Sequence, residues 1–413
     1  MEPHDIALLV YNLALLPIVF FSILFIMLAL LNLFVDKRKE NKFAELKELP
    51  FITVQIPTYN DPVAERCIRH CLEFNYPKDK YEIIIADDST NIETQNLLGR
   101  FEEQNPGFVK YIHREHRQGF KAGALKNSMK YAKGEFIVIF DADWMPGKDF
   151  LNNVIKPFSD PKVAIVQTRQ GFYNKDSNII TRFAAYLLMI YHAVIMPVNN
   201  KVNCVFFCGT AGAIRRSAFE KLGGWNLNSL TEDSDLTVKM LLKGYKTVYL
   251  DFATPSEVPS TFESLIKQQM RWCYGNARVF FDNALNVLFK RGITFGQRAM
   301  ILFVTLGNIA APFVFIMTIA GFSGWFLGEP ELFGFNDIID MAVRLLLTAG
   351  FLVVGIMALH KNKALKEFPY LILASLTLGL VLAVANSIAF FKAAFNKRLS
   401  WFCTAKEANN KFV

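Results

Sequence analysis

Charge is scarce in this sequence: Asp, Glu, Lys and Arg make up 20% of 413 residues, against 52% hydrophobic residues. A disordered or low-complexity chain needs the opposite balance and is excluded. Cysteine is sparse as well. Six are present, no two form a CxxC pair, and no histidine pair stands at zinc-finger spacing, which argues against a structural metal site. Internal repeats are lacking, and so is any basic tract of the kind that binds nucleic acid, so no nucleic-acid partner is expected. The formal net charge of +8 instead suits anionic lipid and phosphate partners.

What is abundant is long apolar runs, gathered at the two ends. Ile6 to Val35 and Ala299 to Gly328 carry no formal charge, Met341 to Leu359 carries only Arg344, and Phe368 to Phe391 carries none. About 20 apolar residues cross a bilayer as a helix, so four membrane helices are expected. The first run lacks a basic leader and is too long for a signal peptide. Asp36-Lys37-Arg38-Lys39 follows it while an acidic segment precedes it, which places the N-terminus outside and residues from about 36 to 297 in the cytoplasm, where thiols stay reduced. An even number of crossings would put the basic tail (Lys392, Lys397, Arg398, Lys406, Lys411) outside. A cytoplasmic tail, with one C-terminal segment re-entrant or interfacial, is the expectation that respects the charge rule.

The middle region changes character. Short apolar strands over 51–56, 81–86, 135–140 and 163–166 alternate with helical patterns around 62–75, 91–104 and 119–132. Such alternation points to a parallel α/β sheet covered on both faces, with ligands beyond the carboxyl ends of its strands. Polar clusters fall there: Pro57-Thr58-Tyr59-Asn60-Asp61, Asp87-Asp88-Ser89-Thr90 and Asp141-Ala142-Asp143-Trp144. Strand-end aspartates often only shape turns. Three acidic clusters at three strand ends, however, suit a divalent cation neutralising a diphosphate leaving group. Downstream, Thr231-Glu232-Asp233-Ser234-Asp235 opens a helical pattern, either as an acidic first turn or as the seat of a general base. Gln268-Gln269-Met270-Arg271-Trp272 reads either as part of an amphipathic helix or as a phosphate clamp beside a sugar-stacking indole.

Taken in order, Asp88, Asp141-Ala142-Asp143, Thr231-Glu232-Asp233 and Gln268-Gln269-Met270-Arg271-Trp272 resemble the D, DxD, TED and QxxRW series of membrane-embedded inverting glycosyltransferases of family 2, the group of cellulose, mannan and hyaluronan synthases. Val54 to Asn60, Gly119 to Lys126, Gly209 to Gly212 and Pro259 to Phe262 are similar to the plant mannan synthase branch, and Trp401 to Lys406 is similar to a WxxTxK element that is cytoplasmic in relatives.

The resemblance implies an α/β GT-A (Rossmann-like) cytoplasmic domain flanked by transmembrane helices. The divisions are 1–36 (membrane helix), 37–260 (catalytic domain), 261–297 (amphipathic interface helices with QxxRW), 298–395 (about three membrane helices) and 396–413 (basic tail). It further implies that Thr58, Tyr59, Asp61, Asp88, Lys121, Asp141, Gln268 and Arg271 bind the nucleotide sugar, and that Asp143 and Asp141 hold Mg2+ or Mn2+. Asp233 is the implied catalytic base, with Phe207, Cys208, Gly209 and Trp272 around the acceptor. Asp61 stands where relatives usually carry Glu. The implied activity is transfer of a hexose from a UDP- or GDP-sugar to a growing polysaccharide, or to a lipid acceptor.

Overall fold

The computed structural model describes residues 1–34, 43, 44, 46, 48–328 and 335–399. The Lys37-Arg38-Lys39 flank and the WxxTxK element lie outside the described residues.

The centre of the chain forms one seven-stranded sheet, in the order β3-β2-β1-β4-β6-β5-β7. Its strands are β1 (Ile52–Thr58), β2 (Tyr81–Asp87), β3 (Val109–His113), β4 (Phe136–Ile139), β5 (Val163–Phe172), β6 (Gly212–Arg215) and β7 (Lys246–Ser256). All seven residues of β1 and of β2 are buried, as continuous apolar strands covered on both faces should be. The expectation of a parallel sheet needs correction: β6 runs antiparallel to both β4 and β5, so the sheet is mixed. A four-residue strand beginning with glycine has too little periodicity to show in sequence.

After α1 (Pro3–Leu33), helices α2 (Ala64–Leu72), α3 (Ile92–Gln104) and α4 (Phe120–Ser128) connect the first strands. Ile68 and Phe101, on α2 and α3, pack with Ile56, Val54 and Phe140 on one face of the sheet. On the other face Leu125 of α4 joins Ile137, Phe219 and Trp225. These two layers bring the carboxyl ends of β1, β2 and β4 together at one edge.

Beyond β5, α5 (Ile179–Ile190) leads into a π-turn over Tyr191–Ile195. It is followed by α6 (Glu232–Leu242), the long α7 (Phe262–Phe289), α8 (Phe295–Leu306), α9 (Ala310–Leu327), α10 (Phe335–Thr348), α11 (Gly350–Lys361) and α12 (Phe368–Ala394). Four stretches among the described residues are long and apolar enough to cross a membrane: Pro3–Leu33, Ile179–Lys201, Phe295–Leu327 and Leu365–Ala394. The stretch expected at Met341 to Leu359 is instead a bent pair, Ile339–Thr348 and Gly350–Lys361, at 60°. Ile179–Lys201 was not singled out in sequence, and 56% of its apolar window is buried inside the protein.

Contacts along α1 join it to several of the other helices. Gly324 packs on Leu8 and Gly321 on Tyr11, small residues that let two helices approach closely. Arg344 bonds Asn12, Gly350 N donates to Ser22 Oγ at 2.8 Å, and Lys361 reaches Asn32. The α10–α11 pair therefore follows α1 from one end to the other. Helix α12 behaves differently. At its start Glu367 pairs with Lys175 at 2.7 Å, and near its end Ala393 O accepts from Arg278 of α7 at 3.1 Å. One end thus meets the segment that follows β5, and the other meets α7.

Candidate active site

Every candidate site residue from the sequence except Gly209 lines a single cavity of about 500 Å3 at the carboxyl edge of the sheet. Gly209 adjoins it through Lys121 and Asp233. Thr58 ends β1, and Tyr59 and Asp61 follow. Asn60 Oδ1 accepts from the backbone N–H of Thr90 and Asn91, which ties the β1 and β2 loops together. Asp88 accepts a bidentate pair from Arg114 at 2.7 and 2.6 Å. The Arg117 guanidinium lies 3.4 Å from the centre of the Tyr59 ring. The sequence reading missed both arginines. Their signal was two basic residues just ahead of Gly119, where the segment similar to relatives begins.

Asp141 and Asp143 follow β4. Asp141 pairs with Lys121 at 2.6 Å, and the same ammonium donates to Gly209 O at 3.0 Å. Burial opposes the Lys121 charge, but Asp141, Glu232 and Asp233 outweigh it and hold the group above its ordinary value. Asp143 is 1% exposed, and its Oδ2 accepts from the backbone N–H of Glu257 at 2.9 Å. The Glu257 carboxylate is itself held by Tyr173 and by Arg66. Among the described residues no cluster of three or more His, Cys, Asp or Glu is built to hold a metal ion. The donors offered are two carboxylates. That set fits Mg2+ or Mn2+, hard cations commonly held by one or two carboxylates together with substrate phosphates.

Asp233 stands in the first turn of α6. Its carboxyl is pushed up to about 7, by burial first and then by the adjacent Glu232 charge; Lys121, the Ser234 N–H and Arg271 pull the other way. Thr237 stitches this turn to the 207–209 loop, donating to Asp233 O at 2.8 Å and accepting from Phe207 N at 3.0 Å. Gly209 has φ +75°, and a Cβ there would sit 2.9 Å from Asp233 Oδ2. Glycine is required by both conformation and space. Burial, reinforced by Asp233, raises the Cys208 thiol, so it stays neutral beside the base.

Gln268, Arg271 and Trp272 share one face of α7 at i, i+3 and i+4. Gly275 continues that face, and a Cβ on it would lie 2.5 Å from Thr231 Oγ1. The missing side chain lets the QxxRW helix close on the TED turn. Arg271 Nε is buried with no hydrogen-bond partner. A guanidinium left in that state is prepared for an anion.

A family model described as glycosyl transferase family group 2 matches residues 136–388. The chain is 37% identical over 281 residues to probable glucomannan 4-beta-mannosyltransferase 7 of Oryza sativa subsp. japonica, covering 65% of this chain and 48% of that protein. It is 35% identical over 266 residues to glucomannan 4-beta-mannosyltransferase 9 of Arabidopsis thaliana, covering 62% and 50%. The chain thus spans about half the length of the curated relatives it matches. Among solved structures, the mannosyltransferase PcManGT from Pyrobaculum calidifontis, in complex with GDP-Man and Mn2+, is similar with a TM-score of 0.64 at 19% identity. That likeness covers 92% of this chain and 100% of the other, and it shows a shared fold.

Proposed function

Because the chain belongs to glycosyl transferase family group 2, we propose that it is a membrane-embedded hexosyltransferase that extends a β-glycan from a nucleoside diphosphate sugar. The observation that carries this reading is the single cavity on which Asp88, Asp141, Asp143, Asp233, Arg271 and Trp272 converge. Thr58, Tyr59, Asp61 and Asp88 form the nucleoside end. Lys121, Gln268 and Arg271 face the diphosphate. Phe207, Cys208, Gly209 and Trp272 receive the acceptor.

In this mechanism the Asp233 carboxylate takes the proton of the acceptor hydroxyl as that oxygen attacks the anomeric carbon. The bond from that carbon to the diphosphate oxygen breaks on the opposite face with its electron pair, so configuration inverts. A base poised near 7 matches proton abstraction at neutral pH. Lys121 and Arg271 lie where negative charge builds up on the leaving group. Mg2+ or Mn2+ held by Asp143 and Asp141 would neutralise that charge further. The names of the two plant relatives favour a mannosyl donor, GDP-mannose, over UDP-glucose.

The basic flank after α1 supports a cytoplasmic catalytic domain. The contacts at both ends of α12 support its lying along α7 rather than crossing, which keeps the basic tail on the catalytic side. A second reading, transfer of one sugar to a lipid, is favoured by a single observation: the membrane end of the cavity is walled by Phe25, Phe303 and Phe351.

The test is a donor screen on purified protein in nanodiscs with Mn2+ or Mg2+, following nucleoside diphosphate release and sizing the labelled product. A glycanase-sensitive polymer from one donor is the expected result. Product formed only with added lipid, one sugar long, selects the second reading. No release from any sugar nucleotide overturns both.

A further inference from the structure

A second pocket, of about 390 Å3, lies outside the active cavity, between α3 and the edge strand β3. Tyr111 and His113 alternate along β3 and so share one face, and α3 lines the opposite wall with Gln95, Asn96, Arg100 and Glu103. Gly99 stands between these walls. A Cβ there would already meet the Tyr111 ring at 3.9 Å, and a longer side chain would take up the space.

Behind the two rings stands Asp87, the fully buried last residue of β2. Its carboxylate accepts from the Tyr111 hydroxyl and from His113 Nδ1, both at 2.8 Å, and from the Ser89 N–H and hydroxyl. A carboxylate only accepts, so the proton is fixed on Nδ1 and Nε2 is the ring nitrogen left to meet a ligand. The path from here to the nucleoside end is one residue long. Asp87 O accepts from the N–H of Arg114, whose guanidinium clamps Asp88. Ser89 Oγ accepts from the N–H of Asn60, and Ser89 O from the Gln95 amide at 2.6 Å.

The lining selects the occupant. The volume is at the small end for small-molecule sites, which suits one ring and excludes a polymer. Arg100 brings the fork that binds a phosphate group. Glu103, Asn96 and the carbonyl oxygen of Gln95 match hydroxyls, and the rings of Tyr111 and His113 offer aromatic surface to the apolar face of a sugar.

We propose that this pocket is an effector site for a hexose phosphate, and that its occupation tightens the nucleoside end through Asp87. The inference rests on the glycosyltransferase reading above and adds a regulatory site apart from the reacting groups. The His113 side chain is 29% exposed, held at one nitrogen and open at the other. A ligand on Nε2 orders the ring, the ordered ring holds Asp87, and the donor then meets a site already arranged, which makes the coupling positive.

Calorimetry on the protein in nanodiscs tests it, with mannose 1-phosphate, glucose 1-phosphate, free mannose and inorganic phosphate as probes. A hexose phosphate should bind more tightly than phosphate or hexose alone, and should lower the Kd of the nucleoside diphosphate about 5-fold or more. The nucleoside diphosphate should tighten hexose phosphate binding by the same factor, since coupling is reciprocal. Arg100→Ala should weaken the hexose phosphate about 10-fold or more and leave the nucleoside diphosphate Kd without effector unchanged. Tyr111→Phe keeps the ring but loses one bond to Asp87, so it should still bind the hexose phosphate with the coupling reduced. Absence of hexose phosphate binding, binding untouched by Arg100→Ala, or competition with the nucleoside diphosphate overturns the effector site. Inorganic phosphate binding as tightly as the ester overturns the sugar, and binding without any change in nucleoside diphosphate Kd overturns the coupling. No release from any sugar nucleotide in the donor screen overturns the glycosyltransferase reading instead, and the hexose phosphate Kd values decide the pocket separately.

Discussion

Replacing Asp233 by asparagine should make the protein inactive and, above pH 7, more stable. In the folded state burial and Glu232 lift this carboxyl from 3.8 to about 7. At 1.36 kcal/mol per pH unit, a difference of that size corresponds to at most about 4 kcal/mol of destabilisation by the charged form. Asp233 is half-buried and faces an open cavity, so water screens part of it, and we expect about 1–2 kcal/mol. The sign follows from linkage. A folded-state value above the unfolded one means that stability is intact below about pH 4 and is lost progressively as pH rises to about 7. Asparagine does not titrate, so its advantage grows across that window and is constant above it. In a protein of 413 residues 1–2 kcal/mol corresponds to about 1–2 °C in Tm. The assay is thermal unfolding in detergent at pH 5 and pH 8, with one fixed scan rate because membrane proteins often unfold irreversibly. Activity, read as nucleoside diphosphate release at pH 8, should fall about 10^2- to 10^4-fold. An Asp233→Asn protein no more stable than wild type at pH 8 would refute the buried-charge argument. So would a gain at pH 5 as large as that at pH 8.

Wild-type turnover should rise with pH through about 7, because only the ionised Asp233 accepts a proton; a rate flat from pH 5 to 8 would remove it as the base. Lys121 lowers that value, so Lys121→Met should shift the pH–rate profile upward as well as weaken donor binding, measured as KM for the sugar nucleotide. Gly275→Ala should cost about 1–3 kcal/mol and at least about 10-fold in turnover, since the added carbon meets Thr231. A Thr231→Gly background should return part of both, and strict additivity would count against the steric account. Tyr173→Phe loosens Glu257, whose backbone N–H orients Asp143, and should weaken Mn2+ binding about 10-fold or more. Mn2+ titration by electron paramagnetic resonance with nucleoside diphosphate present checks this independently of turnover.

How much was legible in sequence depended on whether the signal was local. Strand-end clusters such as Asp141-Ala142-Asp143 could be placed because an apolar run followed by acids is a local pattern, and the sheet brings those ends to one edge. The antiparallel β6 was not legible, being four residues long with its register set by partners far away in sequence. Arg66 and Tyr173 reach Glu257 only through the tertiary fold, from positions 191 and 84 residues away. Gly275 looked like any glycine in a helical pattern, since its requirement comes from Thr231 on another helix.

Helix α12 carries the point furthest. By composition it cannot be told from a crossing helix: the most apolar 18 residues of Leu365–Ala394 have a mean hydropathy of 2.2, equal to those of Phe295–Leu327. Hydropathy measures only that lipid is an acceptable solvent for the side chains, and it is blind to the direction of the axis. Direction is decided at the ends. Glu367 meets Lys175 and Tyr186, Asn386 O accepts from the Cys273 thiol at 3.3 Å, and Ala393 meets Arg278, so the helix runs beside the one that carries Arg271 and Trp272. A helix lying this way is expected to leave the basic residues just beyond it, Lys397 and Arg398, on the catalytic side, as the charge rule asks. Cysteine substituted at Asn396 should accordingly react with a membrane-impermeant maleimide only from the side that also labels the catalytic domain. Labelling from the opposite side would make α12 a crossing helix and would break the contacts through which it supports α7.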